Sequence, residues 1–149
     1  MAKLPPIRLP LRRLDPDLPL PRSMRAGDAA IDLAAGDHTA IEPGARARIG
    51  TGFAVAVPDG WCGLVLPRSG LALDHGLTVL NSPGLIDAGY RGELQVVLVN
   101  HGADAVAIDR GQRIAQLLVM PVPDVAIVEV DELPPAIDDR GERGFGSSG

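Results

Sequence analysis

Short apolar runs closed by glycine or proline turns recur along the whole chain. Trp61–Leu66, Glu93–Asn100 and 113–120 are dominated by valine, leucine and isoleucine, and Glu42-Pro43-Gly44, Pro58-Asp59-Gly60 and Asp109-Arg110-Gly111 supply turn sequences between such runs. The 18 glycines and 14 prolines leave no interval free of both longer than 124–133. Helices averaging about 11 residues do not fit that spacing, whereas strands of about 5 or 6 do. The pattern predicts an all-β sandwich or barrel.

In chain order, 7–11 is expected to be a first short strand and 15–22 a proline-rich connection. A small-residue strand over 26–35 carries Asp28 and Asp32, and strands follow at 38–41, 45–49, 53–57 and Trp61–Leu66. Ser69–His75 has room for one or two helical turns ending at Gly76, with Ser69 at the N-cap and Arg68 beside the positive end of the helix, an arrangement that attracts phosphate. Glu93–Asn100 is apolar on both faces beyond Gln95, which points to a core strand that also meets a subunit partner. Strands are further expected at 105–108, 113–120 and 125–130, with Pro134-Pro135 ending the packed domain. Gln116, an amide inside Ile114-Ala115-Gln116-Leu117-Leu118, needs a backbone or ligand partner.

Length and charge narrow the function. At 149 residues the chain is sized for one domain. A formal net charge of -5, with no basic run longer than Arg12-Arg13, argues against binding to a nucleic-acid backbone, though not against a small polyanion held by a few arginines. One cysteine excludes an internal disulfide framework, and three histidines give no structural zinc pattern. With no apolar segment of signal or membrane-spanning length, the expectation is a soluble cytoplasmic protein with no membrane partner. Trp61 and Cys62 are expected to pack rather than react.

Two stretches carry candidate chemistry. Gly84-Leu85-Ile86-Asp87-Ala88-Gly89-Tyr90-Arg91-Gly92 holds one acid and one ring among three glycines, on a shaped loop or hairpin. Residue types alone leave open whether Asp87 is merely solvated. The tail, 138–149, is polar and glycine-rich, yet it holds Phe145, one of only two phenylalanines. It is either a solubilising extension or a segment that closes over a phosphorylated ligand, its amides and hydroxyls binding phosphate and its ring stacking on a base.

With those residues in view, the chain resembles the trimeric dUTP diphosphatases (dUTPases). Five motifs of that family occur in family order: Ala30-Ile31-Asp32-Leu33, Pro67-Arg68-Ser69-Gly70-Leu71, Asn81 through Gly92, Gly111-Gln112-Arg113-Ile114-Ala115-Gln116-Leu117, and Arg140-Gly141 through Ser147-Ser148-Gly149. The first departs from the usual Gly-Tyr before the aspartate, and Leu85 stands where threonine is common.

The resemblance implies a jelly-roll-like β fold over 1–135, a C-terminal arm over 136–149, and a homotrimer with active sites at subunit interfaces. It implies hydrolysis of dUTP to dUMP and pyrophosphate with Mg²⁺. Asp87 would be the general base and Tyr90 would pack under the deoxyribose, rejecting UTP. Asn81 with main chain near Gly84 and Ile86 would read uracil, and Arg68, Ser69, Gly70 and Gln116 would bind phosphates. Asp32 would reach the metal through water. From the arm, Phe145 would stack on uracil, while Arg140, Gly146, Ser147 and Ser148 would close the phosphate end. The rivals are a dCTP deaminase of the same fold, which needs a glutamate on this hairpin, and a non-catalytic jelly-roll binding module.

Overall fold

A computed structural model describes residues 6–135 and 137. Ten strands and one helix follow in order: β1 (Leu11–Arg13), β2 (Ile31–Ala34), β3 (Thr39–Ile41), β4 (Arg46–Val55), β5 (Trp61–Leu66), α1 (Ser69–His75), β6 (Leu77–Val79), β7 (Gly84–Ile86), β8 (Glu93–Asn100), β9 (Val106–Ile108) and β10 (Arg113–Pro121). Two four-stranded antiparallel sheets, β1-β4-β8-β6 and β2-β10-β5-β7, and a two-stranded sheet, β3-β9, enclose the core. The expected all-β architecture with one short helix is present, as a sandwich of sheets rather than a closed barrel.

Alternation along the strands builds the core. On β8 Leu94, Val96 and Leu98 are buried, and they meet Leu33, Val65, Ile114 and Leu117 of the facing sheet in one cluster. Each of these side chains contributes on the order of 1.5–3 kcal/mol by leaving water. Asn100 is fully buried but satisfied: its amide donates to the carbonyls of Ile41 and Asp104, each at 2.8 Å, and its oxygen accepts from Gly102 N–H at 2.8 Å. Among the described residues no buried side-chain polar atom lacks a partner.

Several expected elements are redrawn. The runs at 45–49 and 53–57 are one strand, β4, because a bulge between Gly50 and Ala54 lets the chain bend and continue pairing with β8. Residues 23–30 form a turn rather than the start of a strand: Asp28 Oδ2 accepts from Arg25 N–H at 2.7 Å, so β2 begins only at Ile31. The first strand lies at Leu11–Arg13, where it pairs with β4, and not at 7–11. The run at 125–130 forms no strand, and its side chains lie in solvent, Ile127 at 94% exposure. It has β-forming composition but no neighbouring strand among the described residues. Among the described residues no helix is long and apolar enough to cross a membrane.

A clamp ties the N-terminal connection to the β9–β10 turn. Arg110 grips Asp15 through two bonds, Nη1 to Oδ2 at 2.6 Å and Nη2 to Oδ1 at 3.0 Å, and Nη1 also donates to the Gly36 carbonyl. Those bonds hold the Asp15 carboxyl below its ordinary value. A depressed carboxyl contributes stability that is present above its unfolded pKa and lost as pH falls through the folded one. Asp15→Asn is therefore expected to lower the melting temperature at neutral pH, with the difference from wild type shrinking below about pH 4. An equal difference at both pH values in thermal melts would show that the clamp acts by packing alone.

Candidate active site

The register of one sheet gathers the first part of the site. Gln116 on β10 lies opposite Asp32 on β2 and Leu66 on β5. Because side chains alternate across a strand, this row points away from the core while the adjoining Leu33, Leu117 and Val65 are buried in it. Two residues beyond Leu66 the chain leaves β5 through Pro67 and Arg68 and enters α1. A cavity of about 740 Å³ opens on this outward face, lined by Asp32, Arg68, Ser69, Gly70, Gln116 and Arg113, with the 24–30 turn as its rim.

Three of those side chains already interlock. Asp32 Oδ2 accepts from Arg113 Nη1 at 3.1 Å, and Oδ1 lies 3.4 Å from Arg68 Nε. Arg68 Nη1 also donates to the Arg113 carbonyl at 3.0 Å. Gln116 finds a backbone partner, donating Nε2 to the Pro67 carbonyl at 2.9 Å. Two guanidinium groups facing one carboxylate leave the cavity with an excess of positive donors, suited to a polyanion. Ser69 is not the N-cap: Arg68 occupies that position with extended backbone, and no side chain caps the helix. Pro67-Arg68 continues the extended path of β5 by one residue more than the sequence indicated. Ser69 thereby becomes the first helical residue, with an exposed side chain.

Sequence reasoning missed Arg113, Arg25 and Asp28 as cavity residues. Strict alternation back from Gln116 would turn Arg113 toward the core. A bulge between Arg113 and Ala115 shifts the phase, so Ile114 and Ala115 are both buried and Arg113 joins Gln116 outside.

The hairpin is a separate part of the chain surface. β7 pairs with β5 at Gly63, Val65 and the residue between, and the turn after it is closed by Tyr90 N–H donating to the Asp87 carbonyl at 3.0 Å. Arg91 Nη1 adds bonds to the carbonyls of Ala88 at 2.5 Å and Tyr90 at 2.7 Å. Asn81 lies over Gly84, where a Cβ would come within 3.3 Å of its Nδ2, so those two positions do adjoin. Asp87 is exposed and lines a smaller depression of about 240 Å³ with Trp61, Cys62, Leu85 and Val122. Asn81, Gly84, Ile86, Asp87 and Tyr90 do not line the arginine cavity. Arg140, Phe145, Gly146, Ser147 and Ser148 lie outside the described residues.

An all-β domain with an arginine-lined cavity on one sheet face and a glycine-framed acidic hairpin elsewhere defines the class: a β sandwich whose cavity is suited to a polyanion. The dUTPase family model matches residues 17–149. The deoxyuridine 5'-triphosphate nucleotidohydrolase of Thermobifida fusca is 53% identical over 144 residues, covering 96% of this chain and 79% of that protein. The dUTPase of Staphylococcus bacteriophage 80alpha, solved with dUpNHpp, is 29% identical, with a TM-score of 0.86 over 95% of this chain and 98% of its own. A mutant dUTPase of phage phi11 of S. aureus, described with a structural Mg(II) ion, is 26% identical with a TM-score of 0.77 over 84% of this chain and 97% of its own. The chain belongs to the dUTPase family.

Proposed function

We propose that the protein hydrolyses dUTP to dUMP and pyrophosphate, keeping uracil out of DNA and supplying dUMP for thymidylate synthesis. One observation carries the reading: Asp32, Arg68, Ser69, Gly70 and Gln116, drawn from three separate motifs, line a single cavity. Water attacks the α-phosphorus, the bond from that phosphorus to the α–β bridging oxygen breaks, and pyrophosphate leaves with the bond electrons. Asp87 orients the water and accepts its proton, a role for an ionised carboxylate held on a fixed turn. Arg68, Ser69, Gly70 and Gln116 offset the charge of the triphosphate as it redistributes.

The donor set suits a magnesium ion that the substrate itself carries. Among the described residues no three His, Cys, Asp or Glu side chains group together, so these residues form no all-protein cage. One carboxylate beside phosphate oxygens is enough for an ion that keeps most of its waters, and Asp32, which lines the cavity with its oxygens facing Arg113 and Arg68, would reach such an ion through that water shell. Bound there, Mg²⁺ would supply charge neutralisation to the phosphates. The structural Mg(II) of the phi11 enzyme supports metal use in the family.

The assembly is a homotrimer in this reading. In one chain the arginine cavity and the Asp87 hairpin are separate, so a complete site needs a second copy to bring its hairpin to the cavity. The outward face of the β2-β10-β5-β7 sheet, with Leu85 at 61% exposure, and the solvent-exposed Val125, Ile127 and Val128 supply the apolar surface for such contacts. The arm, 136–149, then closes the site, with Phe145 on the base and Arg140, Gly146, Ser147 and Ser148 at the phosphates.

The dCTP-deaminase alternative needs a free glutamate near the hairpin. Glu93 is instead committed, its Oε1 accepting from Gly52 N–H at 2.8 Å. Pyrophosphate release measured with dUTP, dCTP, dTTP and UTP under magnesium tests the reading; ammonia from dCTP, or no preference for dUTP, would sink it. Tyr90→Ala is expected to raise kcat/KM for UTP relative to dUTP by about tenfold or more, the scale of one lost steric or packing contact. Equal rejection of UTP by that variant would remove Tyr90 from the sugar site.

A further inference from the structure

Tyr90 is the one tyrosine of the chain, and its ring is held from two sides. The hydroxyl donates to the backbone carbonyl of Glu93 at 2.8 Å. The ring lies across Gly92, where a Cβ would fall 2.7 Å from Tyr90 Cζ, so only glycine leaves room for it. The seat of the phenol therefore depends on where the carbonyl of residue 93 points. Glu93 is the first residue of β8, at the point where pairing with β4 is interrupted by the bulge.

The Glu93 side chain fixes that point. It folds back across Gly50, where a Cβ would come within 2.6 Å of Oε1, and accepts the Gly52 N–H at 2.8 Å. Gly52 has φ +74°, a conformation that side-chain-bearing residues rarely adopt, and it aims its N–H at the carboxylate. Its own carbonyl accepts from Leu14 N–H at 2.8 Å and Asp15 N–H at 3.2 Å, which locks the bulge from the other side. At the next residue of β8, the Leu94 carbonyl accepts from the buried Thr51 hydroxyl of β4 at 2.8 Å. A charge-assisted bond thus joins a rigid bulge to the carbonyl on which Tyr90 rests.

We infer that Glu93 is a positioning residue for sugar discrimination: by tying the start of β8 to the β4 bulge it sets the Tyr90 ring against the nucleotide. The inference rests on the reading of Tyr90 given above. In this reading the carboxylate, bonded to Gly52 N–H, acts through Tyr90 and not on the nucleotide itself. What it supplies is an acceptor at a fixed reach, so an amide of equal length substitutes for it and a shorter acid does not.

The test uses full-length protein labelled with ring-¹³C tyrosine, which gives signals from Tyr90 alone. Wild type, Glu93→Gln, Glu93→Asp and Glu93→Ala are compared by NMR and by kcat/KM for dUTP and UTP. Glu93→Gln is expected to keep the wild-type ring signals and selectivity. Glu93→Asp and Glu93→Ala are expected to displace the ring signals and lower the dUTP-to-UTP ratio about fivefold, the size that one lost hydrogen bond corresponds to. Native ring signals and selectivity in folded Glu93→Ala or Glu93→Asp overturn the inference, as does a Glu93→Gln variant as impaired as Glu93→Ala. Should Glu93→Ala not fold, Glu93→Asp carries the comparison. A wild type that does not discriminate dUTP from UTP sinks the reading of the site instead, and the ring signals still decide whether Glu93 seats Tyr90.

Discussion

Asp87→Asn is expected to lower dUTP turnover by about 10²–10⁴-fold, the usual contribution of a general base, while dUTP binding and the fold survive. The survival follows from local structure. Asp87 is exposed, and among the described residues its carboxylate has no hydrogen-bond or ion-pair partner, so the isosteric amide breaks nothing. The turn is held instead by the Tyr90 N–H to Asp87 carbonyl bond and by Arg91, which the substitution leaves untouched. Surface changes of this kind shift stability by roughly 0.5 kcal/mol or less. The cost appears in the chemical step because an amide has no negative charge with which to take a proton from water. Single-turnover hydrolysis, equilibrium binding and a thermal melt on the same preparation separate the three effects. Wild-type turnover in Asp87→Asn would show that another group activates the water and would return the hairpin to an ordinary polar turn.

How much of this was legible in the sequence depends on how locally each feature is determined. Trp61–Leu66, Ser69–His75 and Glu93–Asn100 are bounded by the residues that the turn chemistry indicates. Apolar runs between Gly, Pro and Asp signals leave little choice of boundary. Features that depend on pairing with distant strands were not legible. The bulge that joins the two halves of β4 sits at Gly50-Thr51-Gly52, glycines that read equally as a turn between two strands, and only β8 alongside decides between the two. The same holds for Arg113, whose outward direction is set by a bulge against β2. The run at 125–130 has the composition of a strand, but composition does not say which strand it would join. The site shows the same division. Motif order brought Asp32, Arg68, Ser69, Gly70 and Gln116 together on paper, and the row Asp32–Gln116–Leu66 gives the physical reason. The distance of the Asp87 hairpin from that row within one chain follows only from the tertiary fold.

The second large effect is expected from the arm. Truncation after Asp139 removes Arg140, Phe145, Gly146, Ser147 and Ser148 and is expected to lower kcat/KM for dUTP by about 10²-fold or more, which corresponds to about 2.7 kcal/mol. The arginine cavity is open on a sheet face, and a triphosphate seated there stays in contact with bulk water unless something covers it. Water screens the attraction of Arg68 and Arg113 for the phosphates and competes for their donors, so a cover strengthens contacts already present. In the proposed reading a stacked ring and extra phosphate donors would also hold the chain of the triphosphate in the geometry that attack requires. The core is expected to be indifferent to the cut: its buried cluster ends at Leu117, and the packed strands end at Pro121. The exposed apolar residues from Val125 to Leu133 also remain, so the truncated protein should still sediment as three chains. Two results would refute the lid. Full activity in the truncated protein would make the glycine-rich tail a solubilising extension, and dissociation to single chains would make it part of the subunit contact.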